Sequence, residues 1–387
     1  MHKRSTTLGH LAALVGGRIQ GDPQLPIHGA EVLGEVAAGE ITLVDHADRL
    51  KQLSSTQAAA VVVSEKVVGE LAGVGACGEL PSTGSGSELV EDSRADDPAR
   101  TAAIVVADVH VAFAAIVTHF RPQRGRAAIG ISPRAIVSPT ARWGQDVNIH
   151  SGVTVGDDCL IGDNTTILPG AQILAGCEIG RDVTIGPGAV LYENTIVGDR
   201  TIINGNATIG AYGFGYSHVA GRHVLSAQLG YVRIGRDVEI GAGTTIDRGT
   251  YGATSIGDGT KIDNQVQIAH NCRIGQHNLI CAQVGIAGSS STGDYVVMGG
   301  QAGLRDHVHI GRAARLSAMA GITNDVPDGA VMMGVPATPE RDQKLKLAAL
   351  AKLPEMRQEF KALRRAVADL QKSAGVNSEP RETDQAA

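Results

Sequence analysis

Large aromatic rings are nearly missing from this chain. Only 3% of its 387 residues are Phe, Trp or Tyr, with a single Trp. A globular core usually relies on such rings for buried area. A chain without them must bury small aliphatic side chains in a regular array. Apolar runs of membrane-spanning length are missing too, which excludes a helix that crosses a bilayer. No basic stripe interleaved with aromatics is present, and the formal net charge is -6, so a nucleic-acid binder is excluded. Cysteine is scarce, odd in number and scattered (five residues). A reducing, cytoplasmic setting is the simpler reading.

What the chain has in abundance is glycine, 50 residues, and a strict period. Stepping by six from Ile131 meets Val137, Trp143, Ile149, Val155 and Ile161, and continues unbroken to Ile209. All fourteen positions are aliphatic except the Trp. A small or β-branched residue stands two places earlier, as at Ala141, Val153, Cys159 and Thr165, and Gly often follows directly. The period resumes at Ile234, Ile240 and Ile246, then from Ile256 to Ile322. Together these are 29 hexads, about ten coils at three per turn. This is the pattern of a parallel β-helix. Each hexad is a short strand and a turn, with its aliphatic residue inward, and coils stack about 4.8 Å apart. Residues 18 apart therefore stack on neighbouring coils.

The remainder divides around this block. Residues 1–107 predict a small α/β domain, with a helix over Leu8, Leu11 and Val15 capped by Thr6 or Thr7 in preference to a signal peptide. Strands are expected at 26–30, 58–63 and 102–106, with a mobile loop at 75–98. A linker helix at 108–128 precedes the β-helix at 129–339. Two helices follow at 340–373, the first stopped by Pro354, and a disordered tail at 374–387. Leu353, Met356, Phe360, Leu363, Val367 and Leu370 form a short a/d seam, expected to pack on copies of itself or on the prism.

Two insertions interrupt the repeat. Residues 210–233 concentrate aromatic and cationic side chains, and 247–255 carry a four-residue excess opening on Asp247-Arg248-Gly249. On the 18-residue ruler His270 lies one coil from Gly288 and two from His307. A histidine can take a proton from an amine at neutral pH, and a glycine N–H one rung away can hold an oxyanion. That pairing suits acyl transfer from a thioester to an amine. An isolated histidine on a β-helix is otherwise a solvated turn residue. Asp247, Asp263, Asn264 and Gln267 cluster near His270, either as turn polarity or as substrate contacts. Zinc would need about three converging ligands; His277 and His309 do not share the face of His270 and His307, so no metal and no cofactor is expected. Cys159 and Cys177 stand on adjacent coils, where packing is favoured over a disulfide.

Four strings, GFGY (213–216), TTIDRG (244–249), IDNQVQIAHN (262–271) and MGG with His307 (298–307), resemble the UDP-3-O-acylglucosamine N-acyltransferases of lipid A biosynthesis, and the likeness covers nearly the whole chain. The resemblance implies a left-handed β-helix, a homotrimer with sites between subunits, and transfer of a 3-hydroxyacyl group from acyl carrier protein to the 2-amine of UDP-3-O-(3-hydroxyacyl)glucosamine. It implies His270 as general base, His307 in support, Gly288 as oxyanion donor, and substrate contacts at Asp247, Asp263, Asn264, Gln267, Asn271, Phe214 and Tyr216. The uracil-binding Phe, Asn and Tyr of the family correspond here to Leu43, His46 and Arg49, so the stacking ring is absent. Tyr212 stands where the family usually has Asp. A divergent sugar N-acyltransferase using another nucleotide sugar or an acyl-CoA donor is the alternative.

Overall fold

A computed structural model describes residues 5–53, 55–71, 102–122, 128–334 and 339–373. The loop expected at 75–98 and the tail at 374–387 lie outside these residues. The chain forms two compact units, Met1–Ala127 and Ala128–Ala387.

In the first unit five strands run in the order Arg18–Gln20, Ala102–Val106, Ala60–Ser64, Glu40–Val44, Gly29–Ala30. All neighbours are parallel except the Arg18–Gln20 edge. The central run AAAVVV is apolar throughout because both faces are covered. Ala60 and Val62 pack with the helices Leu8–Val15 and Val109–Phe120. Val61 and Val63 pack on the opposite side with Leu50, Leu53 and Val67. Thr7 caps the first helix, its hydroxyl accepting from the His10 N–H at 3.2 Å, and Gly16 closes it in the left-handed region. The helix Val109–Phe120, which sequence spacing set apart as a linker, buries Phe113 and Ile116 in this unit's own core.

The second unit is a parallel β-helix of stacked coils. Its three sheets have ten, ten and nine strands, nearly all two residues long. Ile149 pairs with Ile167, Ile167 with Ile185 and Ile185 with Ile203. The insertions stretch this step without breaking it: Ile203 meets Ile240, and Ile240 meets Ile262. The aliphatic residue of almost every hexad is buried in one continuous core. Two expectations fail at the first coil. Ile131 makes only an isolated bridge to Ile149, and Trp143 is 45% exposed, because this coil has a neighbour on one side only. At the other end Val331–Met332 adds a strand that hexad spacing did not predict.

Glycine after the inward residue has a steric cause. A Cβ on Gly186 would meet the Gly205 backbone nitrogen at 2.5 Å. The small row two places earlier holds polar side chains that donate across the turn. Thr165 donates to the Gly180 carbonyl at 2.8 Å, and Cys159 and Cys177 donate likewise to Leu174 and Tyr192. Both thiols are buried and free, as packing required, and the neighbouring Cys159 thiol, with burial second, pushes the Cys177 thiol upward. Along one corner Gln301 donates to Gln283 and Gln283 to Gln265, a ladder one residue per coil.

The C-terminal region is one helix, Glu340–Ser373, with Pro354 inside it. Pro354 removes a single backbone donor and did not end the helix, contrary to expectation. Every residue of the expected seam is exposed. No described helix is long and apolar enough to cross a membrane.

Candidate active site

Both insertions leave the prism near His270. The strand Thr208–Ala211 pairs with Thr245–Asp247 through an irregular step between Ile209 and Ala211. Residues 212–215 then turn across the prism, and the hairpin Tyr216–Val219 with Arg222–Leu225 stands out exposed. The turn lies on the imidazole. A Cβ on Gly213 would come within 2.7 Å of His270 Cβ and 2.9 Å of its Cδ2. Gly288 flanks another edge of the ring: a Cβ there would sit 2.7 Å from Cε1 and 2.8 Å from Nε2. Two glycines thus hold the ring between them, and any side chain at either place would fill the space beside it.

The backbone ties the stack together. Ser289 N–H donates to the His270 carbonyl at 2.9 Å, and His307 N–H donates to the Gly288 carbonyl at 3.1 Å. The order His270, Gly288, His307 on successive rungs is the one the 18-residue ruler predicts, through the pairs Ile268 with Ile286 and Ile286 with Leu304. Among the described residues none accepts a hydrogen bond from the Gly288 N–H. His307 is exposed, and its Nδ1 lies 3.0 Å from Asp306 Oδ2.

Asp247 is buried beside this group. Burial raises its carboxyl above the ordinary carboxylate range, opposed by the Gln267 amide at 3.2 Å and by the nearby His270. Gln267 also accepts from the Thr245 hydroxyl. Asn271, in the left-handed region, bonds the Thr250 backbone, the Thr250 hydroxyl and the His270 ring. Asp263 and Asn264 hold turns: Asp263 accepts from the Asn264 and Ala282 N–H groups, and Asn264 accepts from Ala242 N–H. Phe214 is 84% exposed and meets Tyr216 edge-on at 5.1 Å between centroids.

Two residues here had no role in the sequence reading. Arg248 is buried, donating to the Gly210 carbonyl and to Glu193 Oε2, each at 2.7 Å. Its guanidinium lies over the rings of Tyr192 and Tyr212, 5.8 and 5.1 Å from their centroids. It therefore braces the root of the turn that carries Gly213, and Tyr212 serves as half of its aromatic clamp. Gln228 is also buried, with Oε1 beside Gly213 and without a hydrogen-bond partner among the described residues. The only hint of Arg248 in the sequence was its place at a register break; an amide inside an insertion has no periodicity to reveal it.

Leu43, His46 and Arg49 belong to the first unit. Leu43 packs beside the helical core, His46 is exposed, and Arg49 meets Asp45 at 3.4 Å, as does His110. Among the described residues no group of three or more His, Cys, Asp or Glu could hold a metal ion.

The bacterial transferase hexapeptide (six repeats) family matches residues 158–192, 176–211 and 253–288. A UDP-3-O-acylglucosamine N-acyltransferase from Rhodopirellula baltica is 43% identical over 342 residues, covering 88% of this chain and 82% of that one. One from Pseudomonas paraeruginosa is 35% identical over 380 residues, covering 98% and 99%. A solved Arabidopsis UDP-N-acetylglucosamine acyltransferase is 25% identical over 53% of this chain and 71% of that one, with a TM-score of 0.41. Identity of this degree over nearly the full length of both chains makes this β-helix protein an acyltransferase, and the chain belongs to the UDP-3-O-acylglucosamine N-acyltransferase family.

Proposed function

We propose that this chain moves a 3-hydroxyacyl group from acyl carrier protein to the 2-amine of UDP-3-O-(3-hydroxyacyl)glucosamine, a step of lipid A biosynthesis, by direct transfer with His270 as general base. The observation that carries the reading is the His270 ring held between Gly213 and Gly288, with the Gly288 N–H free of any described acceptor. The amine attacks the thioester carbonyl, and the developing oxyanion takes the Gly288 N–H. The ammonium proton passes to His270 Nε2. As the tetrahedral intermediate collapses, the C–S bond breaks, the amide remains, and the proton returns to the departing sulfur. No acyl-enzyme forms. His307, two rungs along, supports the substrate.

Around this centre, Asp247, Gln267, Asn271, Phe214 and Tyr216 contact or frame the sugar and acyl chain. Asp263 and Asn264 act through the turns they hold. Leu43, His46 and Arg49 are assigned to the uridine, without a stacking ring. Arg341, Lys344, Lys346 and Arg357 on the C-terminal helix receive the acidic carrier protein, and the exposed seam from Leu353 to Leu370 joins copies of the chain as a homotrimer.

His270→Ala is expected to lower turnover by about 10²- to 10⁴-fold with the fold intact. Turnover within tenfold of the unmodified protein would refute the assignment. Carrier-protein and CoA thioesters compared on the same acceptor decide the donor.

A further inference from the structure

We infer that Asn271 is a positioning residue that sets the tautomer of His270, and that in the free chain it holds the ring with the hydrogen on Nε2. The inference rests on the reading of His270 as the base. Its starting point is an assignment of donors and acceptors that leaves one solution. The Asn271 side-chain oxygen accepts from the Thr250 backbone N–H at 2.7 Å. A backbone N–H is only a donor, so the amide's orientation is fixed and its nitrogen must be the atom on the other side. That nitrogen lies 3.0 Å from the Thr250 hydroxyl and 3.1 Å from His270 Nδ1. An amide nitrogen donates and does not accept, so Nδ1 of the ring is the acceptor. A neutral imidazole with an acceptor at Nδ1 carries its hydrogen on Nε2.

The consequence bears directly on catalysis. Nε2 is on the edge flanked by Gly288, where a Cβ would approach it to 2.8 Å. In the free chain this edge presents a donor. Proton removal from the amine at Nε2 needs the other tautomer, with Nδ1–H turned toward Asn271, and there two N–H groups would face each other. Asn271 must release Nδ1 before the ring can act as a base at Nε2. Its Thr250 contacts, and its own N–H donating to the Thr254 hydroxyl at 2.9 Å, resist that release.

Aspartate is the informative replacement. It tolerates the left-handed conformation of this position (φ 61°) and keeps an oxygen for the Thr250 N–H. Its second oxygen accepts from both the Thr250 hydroxyl and Nδ1–H, which reverses the tautomer.

The test is long-range ¹H–¹⁵N correlation on protein labelled with ¹⁵N-histidine, read where the ring is neutral and assigned by the signal that His270→Gln removes. The expected result is Nε2–H in the unmodified protein and Nδ1–H in Asn271→Asp, with kcat of the variant raised about fivefold, the equivalent of one hydrogen bond. An Nδ1–H signal in the unmodified protein overturns the inference even if the variant does not fold. A tenfold or larger fall in kcat with the tautomer reversed overturns its catalytic part. Retention of turnover by His270→Ala would instead remove the base reading and leave the tautomer result standing.

Discussion

Asp247 is the residue whose placement works against the stability of the chain. It is buried, its carboxyl is raised by that burial, and the Gln267 amide and the His270 ring only partly offset the effect. The folded state therefore holds its proton more tightly than the unfolded chain does. Its ionisation destabilises the fold as pH climbs past the unfolded value, and the loss is complete above the folded value. Asp247→Asn keeps an oxygen for Gln267 and removes the charge. Thermal unfolding should show the variant gaining on the unmodified protein between pH 4 and pH 7, by about 1.4 kcal/mol for each unit of upward shift, while its turnover falls. An equal difference at both pH values would contradict this account. A carboxylate kept beside the base against its desolvation cost fits a site where activity and stability trade off.

Among the elements, the turn carrying Gly213 is held at its root by Arg248. Arg248→Met preserves the stem and removes the ion pair, the carbonyl contact and the clamp between Tyr192 and Tyr212. Denaturant unfolding should register a loss of about 1–3 kcal/mol, the scale of leaving the buried Gly210 carbonyl without its donor, since Glu193 is partly exposed, and kcat should fall as Gly213 leaves the ring. Glu193→Gln, which keeps a hydrogen-bond acceptor, should cost less. The repeat strands could be read directly from the sequence because each inward Ile or Val stacks on its own kind, so one period encodes both element and neighbour. His270, Gly288 and His307 were placed by the same period. The braces were not legible. Arg248 and the amide of Asn271 act through insertions and through donor geometry, and neither repeats. Pro354 misled for a related reason: a single missing donor on an exposed helix does not decide its length.

For the molecule as a whole, the β-helix and the C-terminal helix are separable in stability. No described residue of Glu340–Ser373 is buried, so the chain ending at Gly334 should unfold at nearly the same denaturant concentration as the full chain. Sedimentation should show it losing self-association. Its turnover should fall with acyl carrier protein and with a short pantetheine thioester alike, because the sites expected between subunits are lost with self-association. A collapse of the β-helix on truncation would show that the seam holds the prism rather than copies of the chain.

The stacking register also constrains how such a gene can change length. A one-residue deletion within a coil would turn every later inward Ile outward until a corner absorbed the slip. Loss or duplication of eighteen codons leaves Ile on Ile, as it is between Ile149, Ile167 and Ile185. The two tolerated irregularities, Ile203 to Ile240 and Ile240 to Ile262, both emerge at corners and both return to register. Variation in length is thereby channelled into whole coils, which change the height of the prism, and into corner insertions, which are where His270 acquired its surroundings.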